Sequence, residues 1–277
     1  MKIIFLGTAS GAGKTTVTAM YCRYLNREGV KVTPFKALNL SLNSFVGPDG
    51  REIGMGQAFQ AWASGIEPTG DMNPVLLKPS GKGYIQLVLD GVPAEEITKD
   101  RPMDVPKVSE KAYAAFDRLS LKYDAVVCEG SGSPAEINLM KNDIANIGII
   151  RSRSVPAVLV GDIERGGVFA ALYGTWLLLP DDVKPMIKGF IINRFRGDAS
   201  ILKSGIDAVE DLTGMKFLGI IPHVSLKFPE EDSLSDTEGL LEGSSATEAF
   251  MSNIDSLLDT ALKSGVDLAE IRKISDV

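Results

Sequence analysis

The chain has 277 residues, of which 44% are hydrophobic, and its formal net charge at pH 7 is −7. This length allows one large α/β domain, or one domain with an appendage. The acidic balance and the lack of a long basic run argue against nucleic acid and an anionic membrane as partners. Glycines end the first apolar run early, and every apolar run is shorter than the roughly 18–20 residues that cross a bilayer, so we expect a cytoplasmic protein without a signal peptide.

The N-terminal stretch MKIIFLGTASGAGKTT predicts a phosphate-binding loop. Residues 2–6 suit a buried strand, and residues 15–28 suit an amphipathic helix. In a loop of this kind backbone N–H groups face the phosphates, a lysine reaches the outer phosphates and a hydroxyl binds Mg²⁺. We therefore expect the nucleotide to contact Ser10, Gly11, Ala12, Gly13, Lys14, Thr15 and Thr16.

The glycine spacing of this loop is irregular. Counting back from Gly13, the first glycine of the usual pattern falls on Thr8, and Gly7 stands one residue early. An ordinary glycine-rich turn between strand and helix is the alternative interpretation. The pair Lys14 and Thr15 at the start of a helix, directly after an N-terminal strand, favours the phosphate site.

Apolar strands and helices alternate along the chain. Further strands are predicted at residues 31–35, 84–89, 124–128, 155–160, 188–193 and 216–221. Helices are predicted at 51–66, 108–123, 167–179 and 199–213, loops at 36–50 and 71–79, and a surface excursion at 93–106. This alternation predicts an α/β fold with a mainly parallel sheet flanked by helices, and ligands bind beyond the carboxyl ends of such strands.

The composition changes near residue 229. Residues 1–228 contain the strand–helix alternation and are predicted to form one nucleotide-binding domain. Residues 229–249 are acidic and rich in serine and glycine, which predicts a linker. Residues 250–277 are predicted to form a helical tail.

Acidic side chains stand where two of the predicted strands end. Glu129 directly follows the strand DAVVC, and with the Thr15 hydroxyl it would give Mg²⁺ oxygen ligands. Asp162 follows VPAVLV in the same way and is a candidate for contact with metal or substrate. For both acids the alternative is a solvated side chain, or for Glu129 a helix cap.

Basic and amide side chains occupy other strand ends. Lys36 follows the second strand, where it would neutralise a phosphate or a carboxylate substrate, with a solvated lysine as the alternative. Arg165 and Gly166 precede an apolar helix, whose start can bind an anion. Asn193 ends a strand with the paired donor and acceptor that an adenine edge requires.

Two cysteines and one histidine limit nucleophilic chemistry. Cys22 and Cys128 fall in a predicted helix and a predicted strand, so we expect buried, reduced thiols. His223 is the sole histidine of the sequence, and no GxSxG or GxCxG turn exists to pair with it.

Seven segments resemble the cobyric acid synthase family, the glutamine-dependent amidotransferases of cobalamin synthesis: GTASGAGKT, PFKALNLSLNSF, EIGMGQAFQA, DMNPVLLKP, EGSGSPAEINL, DIERGGVFA and GFIINRFRGD. The resemblance covers about residues 1–235 and extends to cobyrinic acid a,c-diamide synthase, dethiobiotin synthetase and, more distantly, the MinD/ParA ATPases. It implies a dethiobiotin-synthetase-like P-loop NTPase that binds ATP and Mg²⁺. Such an enzyme phosphorylates a substrate carboxylate, and ammonia then displaces phosphate to give the amide.

The resemblance also implies roles for particular residues. It makes Thr15 and Glu129 metal ligands and places Asn193 and Pro222 in the adenine pocket. The catalytic residues that it implies are Lys14, Lys36 and Asp162. The side chains and backbone that it places toward a corrinoid are Asn39, Ser41, Asn43, Ser44, Arg165 and Gly166.

Two departures from the family pattern matter. Full-length members carry a C-terminal glutaminase domain with a cysteine nucleophile and a histidine base, which this sequence lacks. The resemblance therefore implies a corrinoid or tetrapyrrole carboxylate as substrate and free ammonia or a separate glutaminase subunit as partner; a homodimer is compatible with it. The second departure is the ending NIDSLLDTALKSGVDLAEIRKI, which resembles the closing helices of the full-length family and so implies that the glutaminase core is missing from between two retained parts. Separately, Ala9 stands where the MinD type has an additional lysine, which favours the synthetase branch.

Two other functions stay open at this point. One is a regulatory or chaperone-like ATPase that has lost amidation. The other is a dethiobiotin-synthetase-like enzyme that activates a smaller carboxylate. Residues 36–44 and the motif DIERGGVFA are intact, which favours amidation, since a regulator has little use for a substrate wall.

Overall fold

The computed structural model describes residues 1–81, 83–226 and 245–276, which contain twelve strands, eight α-helices and four short 3₁₀ helices. The strands are β1 Lys2–Gly7, β2 Val32–Phe35, β3 Asn39–Leu40, β4 Ser44–Val46, β5 Glu52–Gly54, β6 Val75–Gly81, β7 Tyr84–Leu89, β8 Val92–Ile97, β9 Ala125–Glu129, β10 Ala157–Asp162, β11 Ile187–Phe195 and β12 Lys216–Pro222. The helices are α1 Lys14–Arg27, α2 Met55–Ala63, α3 Val105–Lys122, α4 Ile147–Arg153, α5 Val168–Leu178, α6 Lys203–Thr213, α7 Ala246–Lys263 and α8 Leu268–Ser275.

A six-stranded parallel sheet forms the centre of the fold, in the order β12-β11-β10-β1-β9-β2. Strand β1 lies between β9 and β10, with Ile4 opposite Cys128 on one side and Ala157 on the other. The carboxyl ends of these three strands therefore share one edge, which brings Glu129 and Asp162 to the same side as the loop after β1. The parallel α/β fold predicted from the sequence is confirmed.

Helices cover both faces of this sheet, which is why its strands are continuous apolar runs. Side chains alternate along β1: Ile4 and Leu6 join the core under α3, α4, α5 and α6, whereas Ile3 and Phe5 join the core under α1, α2, α7 and α8. Helix α7 begins at Ala246, four residues before the predicted tail, and packs in this second core. The predicted linker at 229–249 falls mostly outside the described residues. Within residues 1–81, 83–226 and 245–276, no helix is long and apolar enough to cross a membrane.

Two smaller sheets, a four-stranded one in the order β3-β6-β7-β8 and a two-stranded one of β4 and β5, correct several predictions. The predicted loops at 36–50 and 71–79 contain β3, β4 and the start of β6, and the excursion at 93–106 contains β8. The helix predicted at 51–66 is a short strand, β5, followed by α2. Strand β8 reads VPAEEI and is mostly exposed, and pairing with β7, for example Glu96 opposite Gln86, gives it a strand conformation. An edge strand of this kind carries little hydrophobic signal.

Both thiols lie in the core, as predicted. Burial raises the pKa of the Cys22 thiol from 9.0 to about 12. Burial likewise raises the pKa of Cys128 far above its usual range. The folded chain therefore keeps both thiols protonated at alkaline pH, where the unfolded chain would ionise them.

We expect the free energy of unfolding to fall as the pH rises above about 8.5, because only the unfolded state then loses these protons. Between about pH 8 and about pH 9.5 the two thiols together should lower it by about 2 kcal/mol. Urea unfolding at the two pH values measures the fall. The double variant Cys22→Ala/Cys128→Ala is the control, and the prediction is wrong if that variant shows the same fall.

Candidate active site

The loop between β1 and α1 is shaped by its glycines. Gly11 and Gly13 have φ angles of 71° and 92°, in the left-handed region that glycine adopts without strain. A Cβ on Gly13 would lie 2.2 Å from the side-chain nitrogen of Asn193, so a larger residue has no room there. Gly13 also has no side chain with which to cap α1, which suits an anion at this helix end.

Lys14 explains the early glycine of the loop. Its side chain is 3% exposed, and its Nζ donates a hydrogen bond to the carbonyl oxygen of Ala9 at 3.1 Å. A Cβ on Gly7 would lie 2.9 Å from both Cγ and Cδ of Lys14. Gly7 therefore leaves room for the aliphatic stem of the lysine, and its position one residue early has a steric reason.

Glu129 lies at the centre of a buried polar cluster. Its Oε1 accepts hydrogen bonds from Thr15 Oγ1 at 2.7 Å and from Lys36 Nζ at 3.0 Å. Its Oε2 accepts from Gln57 Nε2 at 3.1 Å and from Gln60 Nε2 at 2.6 Å. Glu129 and Lys36 are only 1% and 2% exposed. A carboxylate this deep requires a cation and hydrogen-bond donors, and the cluster supplies both.

The two glutamines of this cluster were missed from the sequence. Gln57 and Gln60 are three residues apart on α2 and therefore share one helix face. Two buried polar residues at this spacing, in a helix otherwise rich in apolar and small residues, are the signal that would have found them. Asn39 Nδ2 donates to Gln57 Oε1 at 3.2 Å, so the predicted substrate segment reaches the cluster through Gln57.

The other side chains of that segment make local contacts. Ser41 Oγ accepts a hydrogen bond from the backbone N–H of Asn43 at 3.1 Å. Ser44 Oγ donates to Glu52 Oε1 at 2.6 Å, within the β4–β5 hairpin. Whether these residues contact a substrate stays a prediction.

Asp162 and Asn193 are held by backbone and side-chain contacts near the phosphate loop. Asp162 Oδ2 accepts from Arg194 Nη1 at 3.1 Å, and its Oδ1 accepts from the N–H of Glu164 at 2.9 Å. Asn193 Nδ2 donates to the Ala12 carbonyl at 3.0 Å, and its Oδ1 accepts from the N–H of Arg194 at 2.9 Å. Asn193 therefore supports the phosphate loop in this structure, while its predicted contact with adenine stays a prediction.

A cavity of about 460 Å³ opens beside the loop. This volume falls within the range of about 300–1,000 Å³ that is usual for small-molecule sites. Of the predicted site residues, it is lined by Gly11, Gly13, Lys14, Thr15, Thr16, Arg165, Asn193 and Pro222. Arg165, predicted on the corrinoid side, thus lies with the nucleotide-site residues. His223 follows Pro222 in the same loop and also lines the cavity; Phe59 and Leu257 line it as well and were not predicted to do so.

The donor set fits a nucleotide with Mg²⁺. The glycine turns and Lys14 form a cradle for phosphate, and the Thr15 hydroxyl and Glu129 carboxylate, which touch at 2.7 Å, are oxygen ligands of the kind that Mg²⁺ prefers. Within the described residues no group of three or more His, Cys, Asp or Glu side chains could hold a metal by itself. Mg²⁺ usually takes its remaining ligands from phosphate and water.

The sequence matches a known family over most of its length. Residues 3–233 match the family described as "CobQ/CobB/MinD/ParA nucleotide binding domain". The chain belongs to this family. A probable cobyric acid synthase of Methanoregula boonei is 51% identical over 236 residues, which are 85% of this chain and 49% of that protein. One from Archaeoglobus fulgidus is 50% identical over 242 residues, 86% of this chain and 52% of that protein.

The resemblance to cobyric acid synthases is thereby confirmed. The chain spans only about half the length of the curated relatives that it matches. Among solved structures, the MinD cell division protein of Aquifex aeolicus aligns with a TM-score of 0.51 at 15% identity, covering 98% of this chain and 96% of that one. The MinC:MinD complex of the same organism aligns with a TM-score of 0.51 at 16% identity, with coverages of 98% and 95%. At such identities these neighbours show the P-loop NTPase fold alone.

Proposed function

We propose that this chain is the synthetase part of an amide ligase that uses ATP to amidate a carboxylate of a corrinoid, in the manner of cobyric acid synthase. A carboxylate oxygen takes the γ-phosphoryl group of ATP, ADP leaves, and ammonia then displaces phosphate to give the amide. The proposal rests on the names of the relatives and on the site at the carboxyl edge of the sheet.

One observation carries the proposal furthest: a second buried lysine, Lys36, stands with the predicted metal acid Glu129, at 3.0 Å. Binding and hydrolysing a nucleotide requires the P-loop lysine, a hydroxyl and an acid. Where Mg²⁺ would compensate the Glu129 carboxylate, the Lys36 ammonium would offset the negative charge of an anionic second substrate beside the transferred phosphoryl group.

The remaining roles follow the same chemistry. Lys14 would stabilise charge on the transferred group, and Thr15 with Glu129 would hold Mg²⁺, which when bound neutralises phosphate charge. Asp162 would act through Arg194, which it holds at 3.1 Å beside the cavity. Ammonia would come from solution or from a separate glutaminase subunit.

The test is an amidation assay. The chain is incubated with ATP, Mg²⁺, ammonium and cobyrinic acid a,c-diamide, and mass spectrometry follows the conversion of carboxylates to amides. A parallel reaction supplies glutamine and a glutaminase instead of ammonium, and the Lys14→Ala variant is the matched control. We expect conversion that depends on ATP and on Lys14.

Absence of conversion with both ammonia sources, in a chain that still binds ATP, would contradict the proposal. It would favour a nucleotide-dependent regulator or an enzyme that acts on a smaller carboxylate.

A further inference from the structure

Helix α7 takes part in the cavity beside the phosphate loop. Leu257, on α7, is 3% exposed and is one of the residues that line the cavity. The helix begins at Ala246, beyond residues 3–233 that match the nucleotide-binding family. A segment outside the matched domain thus supplies part of the wall of its ligand cavity.

Helix α7 is fixed to α1, the helix that starts in the phosphate loop. Arg23 Nε donates to Asp255 Oδ1 at 2.6 Å, and Arg27 bonds both Asp255 and Asp259 at 2.8 Å. Arg23 Nη2 also donates to Asp255 Oδ2 at 3.1 Å, so this pair is a two-point contact, a geometry that fixes orientation as well as distance, whereas Arg27 bridges two carboxylates. The helix that carries Leu257 is therefore aligned with the helix that opens at Lys14.

Aromatic contacts fix α7 to α2. The ring of Phe250 stacks on that of Phe59, with centroids 4.7 Å apart and planes inclined by 11°. Phe59 itself lines the cavity. Phe250 thus supports a ring that, like Leu257, forms part of the cavity wall.

The end of α7 is also fixed to β12, the strand that ends at the cavity. Ser264 Oγ donates to the Ile220 carbonyl at 2.8 Å, and the N–H of Asp267 donates to the Leu218 carbonyl at 2.8 Å. Between these carbonyls lies Gly219, with φ 127°, where a Cβ would come within 2.7 Å of Val266 Cα. Only glycine permits this approach, so the contact of the helix with the strand is built into the backbone.

The cavity has a polar part and an apolar part. Backbone and side chains of the phosphate loop form the polar part. The apolar part consists of Phe59, Leu257, Pro222, Val224 and Leu226. If the phosphates bind the loop, the apolar part is left for the nucleoside, whose flat base gains from apolar contact.

We propose that α7 is a binding element for the nucleoside end of the nucleotide, with Leu257 as its contact and Phe250 holding Phe59 of α2 in place beside the ligand. The inference rests on nucleotide binding at this cavity and is independent of amidation. It assigns to α7 a role in recognising the base and ribose, whereas the phosphate loop recognises phosphate.

The experiment compares two ligands on the full-length chain, ATP and inorganic triphosphate, which has the phosphates but no nucleoside. Their affinities are measured by calorimetry in the presence of Mg²⁺. Leu257→Ala should weaken ATP binding about twofold, because the small exposed part of this side chain limits the apolar contact that the ligand can lose, and should leave triphosphate binding unchanged. Leu262→Ala is the matched control, because Leu262 lies on the same helix, is 47% exposed and is not among the cavity-lining residues.

A second variant guards against loss of folding. Leu257→Trp adds volume toward the cavity instead of removing core volume, and it should prevent ATP binding while triphosphate still binds; thermal unfolding checks both variants. Unchanged ATP affinity in Leu257→Ala, or equal losses for both ligands, would overturn the proposal. Absence of amidation would leave this comparison intact, because it measures binding alone.

Discussion

Replacing Lys14 by alanine is expected to lower ATP turnover by about 10³-fold. The lysine is the P-loop cation predicted to contact the outer phosphates, and removing one preorganised donor of this kind commonly costs about 10²–10³ in rate. The Lys14 side chain, which is 3% exposed, is preorganised. Its aliphatic stem lies over Gly7, and its ammonium group donates a hydrogen bond to the carbonyl oxygen of Ala9. Phosphate release in the presence of ATP and Mg²⁺ measures the effect.

The matched control is Lys107→Ala, which removes an exposed lysine from α3. Its turnover should equal that of the parent. Thermal unfolding of both variants establishes that they are folded. Full ATP turnover in Lys14→Ala would show that the loop does not act as a P-loop.

The parallel sheet was predictable because each of its strands is an apolar run followed by turn residues. The predicted strand at 155–160, for example, corresponds to Ala157–Asp162. The four-stranded sheet was not predictable in this way. VPAEEI in β8 and the two-residue β3 derive their conformation from backbone pairing with β7 and β6, which leaves no period in the sequence.

The site was predictable where position on the sheet decides it. Thr15, Lys36 and Glu129 each follow from the end of a strand or the start of a helix, and the structure brings all three together. Gln60 was missed because it lies inside α2 and not at the end of a strand, where the prediction looked for ligand-binding side chains. Leu257 was missed because its helix follows a long acidic segment, and only tertiary packing returns it to the cavity.

Replacing Glu129 by glutamine is expected to lower Mg²⁺-dependent turnover by about 10²-fold or more and to destabilise the fold. Four donors converge on this carboxylate, from Thr15, Lys36, Gln57 and Gln60. An amide has a single acceptor oxygen, so it cannot accept from both sides. The substitution removes a carboxylate that is a proposed Mg²⁺ ligand. The same carboxylate is the ion-pair partner of Lys36, which is 2% exposed. An unpaired buried ammonium commonly destabilises a protein by about 3–5 kcal/mol.

The double variant Glu129→Gln/Lys36→Met separates these two effects. Removing the lysine charge as well leaves no uncompensated ion, so the double variant should recover most of the stability that Glu129→Gln loses, as buried pairs replaced on both sides often do. It should not recover turnover, because the double variant lacks both the Glu129 carboxylate proposed to bind Mg²⁺ and the Lys36 ammonium proposed to act on the anionic substrate. Urea unfolding and phosphate release, each measured as a function of Mg²⁺ concentration, give the two readouts. Equal turnover in the parent and in Glu129→Gln at every Mg²⁺ concentration would exclude Glu129 as a metal ligand. If the single variants Glu129→Gln and Lys36→Met were each as stable as the parent, the buried ion pair would contribute no net stability.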